Sequence, residues 1–189
     1  MLIGLSGVGG AGKDEVAHVL VEEHGFKQLA LATKMKEAAL ALDPIIGVRH
    51  CEPYRLSQLI DAVGPEEAKN WPEVRRLYQR MGTEVGRRTL DEQIWIKLVF
   101  ALVRDRRADS DIVISDVRFL NEAQYIGARG HVWRIIRPGA GLKGEAAEHI
   151  SELELSDDTE GLYDHFLHND GTLGDLKEKV AYGLKACGR

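Results

Sequence analysis

Seven residues near the start of the chain, Gly7-Val8-Gly9-Gly10-Ala11-Gly12-Lys13, constrain it more than any other stretch. They follow the apolar run Met1 to Ser6 and precede a segment with apolar residues at Val16, Ala17, Val19, Leu20 and Val21. The expected order is a buried strand, a glycine turn and a helix packed on a sheet. Glycines let the backbone reverse with successive N–H groups pointing inward, and the helix start adds positive potential. Such a turn binds phosphate oxygens. The pattern is G-x-x-x-x-G-K, in which the lysine reaches the β- and γ-phosphates of a nucleoside triphosphate. Gly7, Gly9 and Gly12 also fit the G-x-G-x-x-G turn of dinucleotide sites. Lys13 favours the triphosphate, because a dinucleotide turn has no need of a lysine there. The expected ATP-binding residues are Gly7, Gly9, Gly10, Ala11, Gly12, Lys13, Asp14 and Glu15.

The remaining pattern alternates strands with helices. After the helix Lys13 to His24, closed by Gly25, come a strand over Phe26 to Leu31 and a helix over Lys34 to Leu42. The middle reads as helical over Tyr54 to Val63, Pro72 to Val85 and Leu90 to Val103, Pro72 suiting a first helical turn. Strands then follow at Asp111 to Val117, His131 to Arg137 and Asp164 to His168, with helices at Asn121 to Ala128 and Leu173 to Leu184. This predicts one α/β domain of the P-loop NTPase class, a mostly parallel sheet with helices on both faces. Its core spans about 1–32 and 108–189, a helical acceptor-binding region about 33–107, and a short lid about 138–150.

Composition narrows the partners. The 189 residues carry a formal net charge of -5, which argues against a general nucleic-acid binder. With 44% hydrophobic and 29% charged residues the chain reads as a soluble globular one. No apolar run approaches the roughly 18 residues of a membrane span, and the start lacks a basic leader. A cytoplasmic location follows as the expectation, with Cys51 and Cys187 as reduced thiols.

Charged residues at element ends supply the candidate chemistry. Asp14 stands where such loops usually place a Ser or Thr on Mg²⁺. Two roles suit it: a hard oxygen ligand to that ion, direct or through water, or a cap at the helix start. Asp116 ends an apolar strand, at the crevice end of a parallel sheet, and suits the metal's water shell or a cap on the next helix. Arg118 and Arg137 also lie at strand ends, where a guanidinium can meet the equatorial oxygens of a transferring phosphoryl group. With Lys13 they are the expected catalytic residues. Arg134 is mid-strand and reads as a structural or surface residue. Lys36, Arg80, Arg87 and Arg88 are candidates for an acceptor's phosphate, against the alternative of solvated helix charge. Lys143 falls in the lid segment. His149 and Glu152 share a helical spacing and suit a hydrogen-bonded lid anchor better than a metal site.

At this level the chain resembles the phage-type deoxynucleoside monophosphate kinases. LSGVGGAGKDE is similar to their G-K-D phosphate loop, which animal-type phosphomevalonate kinases also carry. LATKMKE, YQRMGTE, ISDVR, EHISE and HNDGTLGDL resemble further family segments in the same order and together cover nearly the whole chain. Glu15 departs from the pattern, replacing a small hydroxyl residue, and an ionised carboxylate cannot donate to a phosphate. The resemblance implies ATP and Mg²⁺ as cosubstrates and a deoxynucleoside monophosphate (dNMP) as acceptor. It matches Lys13 and Asp14 to the phosphate loop, Asp116 and Arg118 to the Asp-Val-Arg step, and Lys36 to the acceptor side. Expected partners are these small molecules, with no nucleic-acid polymer and no membrane; a homodimer stays open. Dephospho-coenzyme A and phosphomevalonate are alternative acceptors, and a non-catalytic nucleotide switch is a third reading.

Overall fold

The strand–loop–helix order expected of the N-terminus is present in the computed structural model, which describes residues 1–106, 110–141, 155 and 161–189. The chain begins with β1 (Leu2–Ser6), α1 (Lys13–His24), β2 (Lys27–Leu29) and α2 (Ala32–Leu42). Next come β3 (Ile45–Arg49), β4 (Glu52–Arg55), α3 (Leu56–Val63), α4 (Pro65–Ala68) and α5 (Pro72–Gln79). A π-helical segment, Arg80–Leu90, leads to α6 (Ile94–Arg106). The chain closes with β5 (Ile112–Val117), α7 (Leu120–Gly127), β6 (His131–Ile136), β7 (His165–His168) and α8 (Leu173–Ala186). Two units result, Met1–Ala30 with Phe100–Arg189, and Leu31–Val99.

In the first unit five strands pair in the order β2-β5-β1-β6-β7, every pairing parallel. Parallel strands covered on both faces read as nearly continuous apolar runs, and the uniformly buried LIGLS of β1 is such a run. On one face Ile3, Leu5, Val113, Trp133, Ile135 and Leu167 form a core with Val16 and Leu20 of α1 and Leu176, Val180 and Leu184 of α8. On the other face lies α7. A Cβ on Gly4 would stand 3.1 Å from the Ile126 side chain, so the missing side chain of Gly4 lets α7 approach β1. Helix α1 ends in a left-handed Gly25 (φ 71°), whose N–H bonds to the Val21 carbonyl while Phe26 N–H bonds to Leu20. That reversal is the one glycine makes cheaply.

The second unit departs from the expected run of plain helices. Residues 45–55 form an antiparallel hairpin, β3 with β4, closed by His50 and Cys51, both at positive φ. The expected helix from Tyr54 begins at Leu56 instead, since Tyr54 belongs to β4. Ala39, Leu56, Leu59, Ala68 and Val74 make this unit's small core. The helix expected over Pro72 to Val85 widens at Arg80, and the helix expected from Leu90 starts at Ile94. The break falls at Asp91, whose backbone is extended (φ -162°) and whose N–H bonds back five residues to the Gly86 carbonyl. Among the described residues no helix is long and apolar enough to cross a membrane.

Candidate active site

The phosphate loop begins where β1 ends. Gly7 lies at φ 150°, and a Cβ there would stand 2.6 Å from the Ile135 carbonyl oxygen, so any side chain would force β1 and β6 apart. Gly10 (φ 78°) and Gly12 (φ 96°) complete the reversal. Ala11 N–H bonds to Val8 O at 3.2 Å across the turn. Gly12 caps α1 without any side-chain hydrogen bond to its first turn. The orphan N–H groups that every helix start carries therefore have no side-chain acceptor from the cap, and an anion can take them.

Lys13 is half-buried, and its Nζ donates to Gly7 O at 2.6 Å and Val8 O at 3.0 Å. Its ammonium thus lies over the carbonyls of the turn it follows. Asp14 and Glu15 occupy the exposed first turn of α1.

Parallel register sets the neighbours of this loop. Ser6 pairs with Val117 of β5 and with Arg134 of β6. Asp116, half-buried, and Arg118, exposed, therefore flank a residue level with the loop's start. Arg118, Arg134, Ser6, Gly7, Val8 and Val117 line one small, open cleft. Arg134 corrects part of its sequence reading: it is buried, not on the surface. Its Nη1 donates to Ser6 Oγ at 3.3 Å, and its guanidinium carbon stands 5.6 Å from the Tyr163 ring centre. Strand alternation turns it to the sheet face opposite Trp133, and there, at the crevice end, it lines the cleft. Arg137 is exposed just beyond β6.

Two further residues shape the site and escaped sequence reasoning. Glu122, 3% exposed, accepts the backbone N–H groups of Arg118 (3.0 Å) and Phe119 (3.1 Å). It pins the turn that carries Asp116 and Arg118. An acid three residues into a helix is half of a capping box, a signal legible in FLNE. Asn169, in the turn after β7, donates its side-chain amide to the Ala11 carbonyl at 3.0 Å.

The acceptor-side candidates belong to the second unit and differ among themselves. Lys36 is half-buried in α2. Arg80 is exposed and its Nε meets Glu84 Oε2 at 3.2 Å; Arg88 is exposed. Arg87 is buried, donating from Nη1 to Glu92 O at 2.9 Å, with Nη2 3.6 Å from Glu92 Oε1. All three arginines sit on the π-helical segment, which Trp95 braces: its indole N–H donates to Gly82 O at 2.8 Å. Lys143, His149, Glu152 and the lid beyond Gly141 lie outside the described residues.

Among the described residues no group of three or more His, Cys, Asp or Glu converges on a metal site. Mg²⁺ carried by a nucleotide needs only one or two protein carboxylates, with phosphates and waters as its other ligands. Asp14 and Asp116 carry the hard carboxylate oxygens that such an ion takes.

Comparison with known proteins gives the family and the fold. The profile of the family described as deoxynucleotide monophosphate kinase matches residues 48–180. A putative deoxynucleotide monophosphate kinase of Acanthamoeba polyphaga mimivirus is 28% identical over 95% of this chain and 94% of its own. Two solved structures share the fold. TT1252 from Thermus thermophilus has a TM-score of 0.54 at 19% identity, covering 98% of this chain and 96% of its own. Dephospho-CoA kinase from Campylobacter jejuni has a TM-score of 0.52 at 17% identity, covering 97% and 95%.

Proposed function

Because the chain belongs to the deoxynucleotide monophosphate kinase family, we propose that it transfers the γ-phosphoryl group of ATP to a deoxynucleoside 5′-monophosphate, giving ADP and the diphosphate. The observation that carries this reading is the Lys13 ammonium held over a glycine turn whose helix start has no side-chain cap. A phosphate oxygen entering the loop offers that ammonium a charge-assisted partner, stronger than a neutral carbonyl.

The chemistry asks little of the protein beyond placement and charge. An oxygen of the acceptor's phosphate attacks the γ-phosphorus, and the bond from that phosphorus to the β–γ bridging oxygen breaks. The attacking oxygen is already anionic, so no general base is needed. Catalysis is alignment and stabilisation of charge on the equatorial oxygens. In this reading Gly7, Gly9, Gly10, Ala11 and Gly12 hold the phosphate chain, with Asp14 and Glu15 in the turn beyond. Lys13, Arg118 and Arg137 meet the transferring group. Arg134 fixes the cleft wall beside them. Mg²⁺, when bound, neutralises triphosphate charge, and Asp14 and Asp116 would hold it and its waters. Lys36, Arg80, Arg87 and Arg88 take the acceptor, Arg87 being the buried one, its guanidinium held by Glu92. The segment about 138–150 acts as a lid that limits ATP hydrolysis by water.

An acceptor panel tests the reading. The protein, ATP and Mg²⁺ are mixed with dAMP, dCMP, dGMP, dTMP or dUMP, with dephospho-coenzyme A and phosphomevalonate alongside. ADP formation that depends on at least one dNMP supports the proposal and gives the base preference. Turnover only with another acceptor would keep a kinase and discard the nucleotide; ATP loss independent of any acceptor would favour a nucleotide switch.

A further inference from the structure

Asn169 stands at a junction. Its backbone N–H bonds to Ile136 O at 2.7 Å, which ties it to the end of β6. Its side-chain amide bonds to Ala11 O at 3.0 Å, inside the phosphate loop. The turn that carries it is braced on both sides. Lys179 Nζ donates to His168 O (2.8 Å) and Asp170 Oδ1 (2.6 Å). Thr172 and Asp175 form a reciprocal cap at the start of α8, with Thr172 N–H on Asp175 Oδ2 at 2.7 Å and Asp175 N–H on Thr172 Oγ1 at 3.3 Å.

The consequence for the loop follows from peptide geometry. The bond from Ala11 to Gly12 is part of a planar trans unit, in which the carbonyl and the following N–H point in opposite directions. Fixing the Ala11 carbonyl on Asn169 therefore fixes the Gly12 N–H pointing away from Asn169. Gly12 itself has no side chain to set this angle and sits at φ 96°. The contact is close enough to exclude one: a Cβ on Gly12 would stand 2.2 Å from Asn169 Nδ2.

We propose that Asn169 is a positioning residue for the phosphate loop, orienting the peptide between Ala11 and Gly12 so that its N–H serves the triphosphate and its carbonyl does not oppose it. The inference rests on the reading that the loop binds ATP. It explains why a turn far along the sequence is stiffened by a cap and a lysine. Asn169 adds affinity for ATP alone and leaves the acceptor unaffected. Such uniform binding changes KM for ATP and not kcat.

The test uses the full chain and the variants Asn169→Ala and Asn169→Leu, the second keeping the branched shape without the donor. ATP affinity is read by calorimetry, KM and kcat by steady-state assay, and folding by circular dichroism and melting without nucleotide. One lost hydrogen bond should raise the Kd and KM for ATP roughly five- to tenfold, with kcat and the acceptor's KM within about twofold. Folded variants that bind ATP like the wild type would overturn the inference while leaving the loop reading intact. Loss of folding in both would make Asn169 a determinant of the fold and overturn it also. A wild-type chain that binds no ATP would overturn the loop reading and this inference with it.

Discussion

The Lys13 ammonium lies 2.6 Å from the Gly7 carbonyl oxygen, so the cation of the phosphate loop is held by the residue that opens the loop. Its stem starts α1 while its head lies over the turn, which prearranges the charge before any nucleotide arrives. Replacement of Lys13 by Ala removes that charge and leaves the apolar core of α1 untouched. Turnover should fall about 10²–10³-fold with little change in melting temperature. Near-normal turnover by folded Lys13→Ala protein would contradict the role given to Lys13.

Glu122 holds the turn that presents Arg118 by accepting the N–H groups of Arg118 and Phe119. Glu122→Ala leaves these donors without that acceptor in a buried place, at a cost of about 1–3 kcal/mol. Arg118→Ala, an exposed change, should leave stability within about 0.5 kcal/mol and lower kcat instead. Chemical denaturation and steady-state kinetics on the two variants separate these effects. Equal stability loss in both would refute the division of labour.

On the π-helical segment, a Cβ at Gly86 would stand 2.4 Å from the Trp95 ring. Gly86→Ala must displace the indole or widen the segment, with a cost of about 1–3 kcal/mol. Because Arg80, Arg87 and Arg88 share that segment, the acceptor's KM should rise while the Kd for ATP stays unchanged. An unchanged acceptor KM together with shifted tryptophan fluorescence would remove the segment from acceptor binding.

His165 packs edge-on against Trp133, with ring centres 5.1 Å apart, and burial holds its pKa below the ordinary 6.5. The unfolded chain takes up this proton more readily than the folded one. The contribution to stability is therefore present above about pH 6.5 and is lost as the pH falls from there through the lowered folded value. Asp170 and Asp175, whose pKa values are lowered by Lys179 and by Thr172 respectively, lose their contributions only at more acid pH, below the ordinary carboxylate value. His165→Phe keeps a ring on Trp133 and should reduce the stability difference between about pH 7.5 and about pH 5.5 in denaturant titrations. An undiminished difference would show that another group carries it.

How much of this was legible in the sequence depended on whether the signal was local. Glycine spacing and an apolar run placed β1, the loop and α1 correctly, because strand, turn and helix start are each encoded by neighbouring residues. The apolar runs read as strands over Asp111 to Val117 and His131 to Arg137 contain β5 and β6. The hairpin at Ile45–Arg55 was not, since its turn uses His50 and Cys51 at positive φ instead of an Asn-Gly pair. The widening at Arg80 has no signal in neighbouring residues; it coincides with Trp95 packing on Gly86 and bonding to Gly82 O across the segment. Arg134 reads as structural or surface because a mid-strand position gives a face but not what covers it. Asn169 carries no local signal, since its contact with Ala11 spans 158 residues of the chain.

The measurement that tests the central claim most directly follows the phosphoryl group itself. The protein is incubated with Mg²⁺, ATP labelled in the γ-phosphate, and the dNMP that the panel selects, and the products are separated. The account predicts label in the β-position of the deoxynucleoside diphosphate, with loss of that product in Lys13→Ala. Label released as inorganic phosphate, with the dNMP recovered unchanged, would contradict it.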